Sequence, residues 1–203
     1  MIAFNFDNFL TWFPTKNFNW IYNWMATGWH TESRYPLTSE KLALKWADPE
    51  SVVGVRFQSK TRYALLDIDS GSLYHPQNSN DDHIYKLAVS LESIGINQLI
   101  WVRSSNSGGL HAYLPFPETV PTFKAAKLIQ QTLQTAGFII KQGQLEIFPN
   151  PKSYSKFQPT NYNGHRLPLQ PGTGSCLLNH NQFGGFDEGS TDINYWHFLM
   201  VEG

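Results

Sequence analysis

A single cysteine, Cys176, stands in a chain of 203 residues. That excludes an internal disulfide framework and a Cys-rich zinc site, and it fits a reducing compartment. No run of about 18 apolar residues occurs and no signal-peptide pattern opens the chain, so the expected location is the cytoplasm, with no membrane partner. Charge is scarce too: 15% of residues are Asp, Glu, Lys or Arg, and the net charge is −1. No global basic field advertises nucleic acid, so such a partner would need a local basic groove. Aromatics are plentiful at 15%, with seven Trp, in a chain that is 41% hydrophobic. That is an ordinary globular composition.

The aromatics crowd the first 30 residues: Phe4, Phe6, Phe9, Trp12, Phe13, Phe18, Trp20, Trp24 and Trp29. Phe9 with Phe13, and Trp20 with Trp24, are spaced for stacking on one helical face, and the group reads chiefly as core. Ser39 is a candidate N-cap for a helix through Ala47, with Leu42, Leu44 and Trp46 on its buried side. Residues 52–58 and 63–69 read as two arms of a hairpin. A polar loop over 71–82 leads to a helix from His83, capped by Asp82 and closed by Gly95, with Ile84, Leu87, Ala88, Leu91 and Ile94 on one stripe. An apolar strand over 98–103 follows, then the loop 104–109 (Ser-Ser-Asn-Ser-Gly-Gly). A strand over 110–116 is bounded by prolines. A second helix over 122–136 carries Phe123, Ala126, Ile129, Leu133 and Ala136 on one face. A last strand spans 144–148. From residue 63 the order is β-α-β-β-α-β, the ferredoxin-like or RRM-like unit, in which the first strand lies between the third and fourth. The remainder, 149–203, is rich in Pro and Gly; within it, 163–169 reads as a turn leading to a short strand.

Strand parity selects the site. Ala64, Leu66 and Ile68 suit the helix-covered face, which turns Asp67 and Asp69 to the other. By the same parity His111 and Tyr113, and Glu146 and Phe148, share that second face, read here as open. Adjacent carboxylates repel unless a cation sits between them. Three of them with a histidine suit one or two Mg²⁺ or Mn²⁺ ions, the arrangement that clamps both oxygens of a phosphoryl transfer. Ser105, Ser107, Gly108 and Gly109 lie in a loop whose amides can cradle phosphate, with His111 adjacent. Arg166, on a Gly-x-Arg-x-Pro turn, can hold a triphosphate. Arg56, Lys60, Arg62 and Arg103 are candidate template contacts.

These residues resemble the archaeo-eukaryotic primase superfamily, the primase-polymerases. Its first motif is a hydrophobic strand ending in Asp-x-Asp/Glu, matched by Leu65-Leu66-Asp67-Ile68-Asp69. Its second is a Ser/Gly loop running into a strand histidine, matched by residues 104–111. Its third is a hydrophobic–acid strand, matched by Leu145-Glu146-Ile147. The approach from Trp46 to Arg56 is also similar to the family's lead-in. The resemblance implies an α+β catalytic domain spanning 1–203, with an N-terminal aromatic-rich α/β module over 1–58. An RRM-like metal-binding module follows over 59–169, its sheet at about 63–148, and then a loop-rich C-terminal segment over 170–203. It implies templated nucleotidyl transfer, a DNA primase or polymerase activity, on single-stranded or primed DNA with dNTPs or NTPs. Asp67, Asp69 and Glu146 would be catalytic metal ligands, and His111 and Arg166 would lie on the incoming nucleotide. Many members carry Asp where Glu146 stands, and the zinc-binding segment of many primases is absent, so no zinc is expected. The chain stops without a tail, which suggests a fragment, with a helicase or other domain C-terminal to it. Three other readings compete. A non-catalytic RRM-like module would want aromatics, not acids, on the sheet. A rolling-circle nuclease would want a second histidine beside His111. Another two-metal enzyme, such as a nucleotide cyclase, could use the same acids.

Overall fold

The computed structural model describes residues 5–13, 20–80, 82–152, 162–180 and 185–202; Phe4 and Phe18 lie outside them. In chain order the elements are α1 (Phe6–Leu10), β1 (Trp20–Trp24), β2 (Trp29–Glu32), α2 (Ser39–Ala47), β3 (Ser51–Arg56), β4 (Lys60–Ile68), α3 (His83–Glu92), β5 (Ile100–Arg103), β6 (Leu110–Pro121), α4 (Thr122–Thr135), β7 (Leu145–Phe148), β8 (Gly164–Arg166), β9 (Cys176–His180), β10 (Phe186–Glu188) and α5 (Ile193–Glu202). The fold is α+β. A six-stranded sheet runs β10-β9-β5-β6-β4-β7, and a four-stranded sheet runs β2-β1-β3-β8. Within the larger sheet, β4 lies between β6 and β7 as the β-α-β-β-α-β order requires, and all these pairings are antiparallel.

The helices form where apolar stripes and caps agree. Asp82 accepts from the Tyr85 amide, and α3 buries Ile84, Leu87 and Leu91. Ala126, Ile129 and Leu133 form the buried stripe of α4. Both helices pack on Ala64, Leu66 and Ile68 of β4 with Leu110, Ala112, Leu114, Leu145 and Ile147. Phe123, expected on the stripe, is exposed, as is Leu44 of α2. The cap of α2 is Thr38 rather than Ser39: its hydroxyl accepts from the Lys41 amide at 3.2 Å.

Four local expectations are overturned. β3 and β4 are not a hairpin; they belong to different sheets. Phe57, in the short connection between them, is buried against His165 and Tyr63, so the chain crosses between layers instead of reversing. Residues 20–24 form a strand, not a helix. A spacing of four satisfies both a period of 2 and one of 3.6, so Trp20 and Trp24 could not discriminate. β6 continues through Pro115, Pro117 and Pro121. Its pairing with β5 ends at Tyr113, and beyond that point a free edge tolerates the missing amides. The polar loop after Asp69 packs inward, with Ser72, Tyr74 and His75 buried.

The largest correction concerns the sheet face opposite the helices. Most of it is covered. Tyr63, Leu65, Ile100, Val102, Tyr113 and Phe148 join Phe9, Phe13, Trp20, Val53, Val55, Phe57 and Trp196 in a second core between the two sheets. Trp196 of α5 meets Phe9 at 5.3 Å, Phe13 at 5.5 Å and Tyr113 at 5.4 Å between ring centroids. The acid-bearing end of the face lies outside this cover.

Candidate active site

Register brings the candidates together. Asp67 lies directly across from His111 on one side and from Glu146 on the other. Directly paired residues in antiparallel strands have Cα atoms about 4.5–5.5 Å apart. Asp69 follows the end of β4 on the same side as Asp67. Burial, and then the Asp67 charge, raise the Asp69 pKa. Burial also raises that of Glu146, with Asp67 and Asp69 adding to it. The Asp67 carboxylate is therefore close enough to both to oppose their ionisation.

Arg166 arrives from the other sheet, where it pairs with Gly54 of β3. Burial lowers its pKa, and Asp67 and Tyr113 act against that. A guanidinium stays charged under such a perturbation, so a cation stands beside the acids. Its Nη1 donates to the Ser104 carbonyl at 3.5 Å, and its guanidinium lies 6.0 Å from the Trp29 ring centroid.

His111 is buried, with Nε2 3.6 Å from Asp67 Oδ1 and Nδ1 without a hydrogen-bond partner among the described residues. A ring so enclosed backs Asp67 more readily than it meets a phosphate. The Tyr113 hydroxyl is likewise buried and unpartnered. Beneath them, His165 Nε2 sits 2.9 Å from the Tyr63 hydroxyl, and burial followed by the His111 charge lowers the His165 pKa to about 3. Local sequence offered no signal for His165 or Tyr63 as partners, since they are 102 residues apart.

The loop 104–109 is closed more tightly than a phosphate cradle needs. Ser104 donates to Gly109 O at 2.7 Å, Asn106 to Thr173 O at 2.7 Å, Gly108 to Ser105 O at 3.0 Å, and the Ser107 amide to Ser105 Oγ at 3.3 Å. Those four amides are committed inside the protein. The hydroxyls of Ser105 and Ser107, 2.9 Å apart, lie on the loop's exposed side. Gly109 is closely packed: an added Cβ would fall 3.0 Å from Ser104 Oγ, which would have to give way. Gly174, which the sequence reading did not single out, presses on the same loop: its Cβ would fall 2.8 Å from the Asn106 amide nitrogen.

Most of the four basic candidates are held by other partners. Lys60 and Arg62 begin β4, and at about 3.3 Å per residue Lys60 lies roughly 20 Å from Asp67. Arg62 covers Trp12, its guanidinium 4.4 Å from the ring centroid. Arg56 donates to Tyr162 O and Thr31 Oγ1 at 2.9 and 3.0 Å. Arg103 donates to Gly174 O at 2.7 Å and pairs with Glu188. Three of the four thus have structural partners, and Lys60 is exposed.

Among the described residues, no group of three or more His, Cys, Asp or Glu side chains stands ready to hold a metal ion. The donor chemistry of Asp67, Asp69 and Glu146, all oxygen, suits Mg²⁺ or Mn²⁺. The strand register places two of the three opposite each other. As placed, the three side chains do not converge as a ligand set, and they would have to turn toward one another to share an ion. Among the described residues no helix is long and apolar enough to cross a membrane.

No protein-family model and no curated protein matches the chain. Among solved structures it is similar to the polymerase domain from Mycobacterium tuberculosis Ligase D in complex with DNA, at 20% identity and a TM-score of 0.43. That likeness covers 71% of this chain and 55% of that one, so this chain spans little more than half of the other's length.

Proposed function

We propose that the chain is a template-directed nucleotidyltransferase of the primase-polymerase kind, acting on single-stranded or primed DNA with dNTPs or NTPs. The observation that carries this reading is the register: Asp67 flanked by His111 and Glu146 on neighbouring strands. Asp69 and the Arg166 guanidinium are electrostatically coupled to the same carboxylate. Acids beside a guanidinium, at an uncovered end of a largely covered face, suit a triphosphate better than a bare nucleic-acid backbone, which the acids would repel.

Asp67, Asp69 and Glu146 are the residues that would hold Mg²⁺ or Mn²⁺. Bound there, a divalent ion supplies positive charge that acidifies an attacking 3′-hydroxyl and balances a leaving pyrophosphate. Arg166 binds phosphate oxygens through its planar fork. The Ser105 and Ser107 hydroxyls donate to the same group. His111, behind Asp67, holds that carboxylate in place and keeps water from its inner side. The buried Tyr113 and Phe148 argue against the RRM-like alternative, because neither presents a ring face on which a base could stack.

The test is extension of a primed DNA template with dNTPs or NTPs, in Mg²⁺ and in Mn²⁺, with an unprimed template as a separate arm for chain initiation. Extension is expected from the wild type and should be abolished by Asp67→Ala with Asp69→Ala. Extension that survives the double substitution ends the proposal.

A further inference from the structure

The sequence marked 71–82 as a surface loop with no part in the site. His75 is nevertheless only 4% exposed. Its Nε2 lies 3.1 Å from the Gly108 carbonyl, in the Ser/Gly loop that precedes His111. Its Nδ1 lies 3.3 Å from the Gln77 amide. A carbonyl only accepts, so Nε2 carries the proton; an amide only donates, so Nδ1 offers its lone pair. Both ring nitrogens are engaged, and their partners fix one neutral tautomer.

The platform beneath His75 is itself braced. The Ser72 amide donates to Asp69 O at 2.9 Å, and the His75 amide to Ser72 O at 3.1 Å. Asn78 Nδ2 donates to Ser70 O at 2.6 Å and to Ser72 O at 2.9 Å. The run from Asp69 to Asn78 is a series of locked turns, with an imidazole at the end that reaches 33 residues along the chain. Gly108 is the point where the captured loop needs such a hold. It has φ +82, a conformation that glycine adopts without strain and that constrains nothing by its own sterics. Of the loop's other ties, Asn106 reaches Thr173 and Ser104 O accepts from Arg166, while its exit at Leu110 pairs with Ile68.

We propose that His75 is a positioning residue. By donating to Gly108 O it locks the loop 104–109, and with it the Ser105 and Ser107 hydroxyls, to the segment that leaves Asp69. The acid strand and the phosphate-facing loop then keep one fixed spacing. This deepens the nucleotidyltransferase reading and rests on it for the role of the loop, though not for the hydrogen bond.

Two substitutions separate the two bonds. Asn at position 75 places an acceptor where Nδ1 was, so His75→Asn keeps the Gln77 bond and loses Gly108. Gln reaches further and places a donor where Nε2 was, so His75→Gln keeps Gly108. Amide hydrogen exchange across 104–109 should quicken about tenfold in His75→Asn, the loss expected from one net hydrogen bond, and stay near wild type in His75→Gln. In the primer-extension assay, His75→Asn should raise KM for the nucleotide about tenfold while kcat changes less than about twofold, and His75→Gln should restore KM. Unchanged exchange in His75→Asn, or equal loss in both variants, overturns the proposal whatever the activity. A wild type without extension activity defeats the functional reading and leaves the exchange result to decide the clamp. Should His75→Asn fail to fold, His75→Gln decides: wild-type protection of 104–109 supports the clamp, and its loss overturns it.

Discussion

Tyr63 and Leu65 are sealed from solvent, whereas the Asp67 side chain, two residues further on the same side of the same strand, keeps 26% of its surface. The backbone is the same at both places; the cover differs. Phe13 and Phe57 lie against Tyr63, Trp196 lies against Tyr113, and Leu65 belongs to the same core. Beside Asp67 the second sheet contributes Arg166 in place of another ring. The aromatic end is built for closure. The acid end keeps like charges side by side, which works against stability and leaves a site able to take a cation or a phosphate. The acids sit where the covering layer stops, on strands whose other side chains pack into the second core.

Three experiments press on that contrast, in order of expected size. Trp196→Ala removes the ring shared by both halves of the cover and should cost about 3–5 kcal/mol, read from urea unfolding. A loss under about 1 kcal/mol would show that the face is held shut by something else. Acid should act next, through His165. Its pKa is about 3 in the fold against an ordinary 6.5. Between those values the unfolded chain binds the extra proton, so this contribution is complete above about pH 6.5 and drains away as pH falls toward 3. Wild type should therefore lose several kcal/mol more than His165→Gln between pH 7 and pH 4 in parallel denaturant titrations; parallel decline would sink the idea. The smallest effect lies at the acid end. Glu146→Gln removes a carboxylate that its neighbours oppose, and should raise stability at pH 7 by less than about 1 kcal/mol, since solvent screens a partly exposed group. Primer extension should fall sharply in the same variant. A variant destabilised by more than about 1 kcal/mol would mean that Glu146 supports the fold and is not merely tolerated by it.

Much of this was readable in advance. Alternation along 63–69 put Asp67 and Asp69 on one face, and the same parity at Glu146 and His111 matched strands whose order followed from two amphipathic helices. The hairpin failed because turn chemistry at 59–61 says only that the chain changes direction, not which layer it joins. The open face failed for a related reason. Residues 20–24 looked helical because spacing alone is ambiguous, and as β1 they build the very sheet that closes the face. The basic residues were legible as charges, but Arg56, Arg62 and Arg103 have structural partners that composition does not reveal.

Local pattern was enough to decide which residues face together, because side-chain alternation and helical stripes are properties of a few neighbouring positions. What lies across from them was decided elsewhere. His165 reaches Tyr63 over 102 residues, and Arg166 comes to Asp67 from the opposing sheet. His75 reaches Gly108 out of a loop that reads as solvent. Such contacts follow from how two layers dock, and docking depends on the summed fit of many distant side chains, which no short stretch of sequence carries.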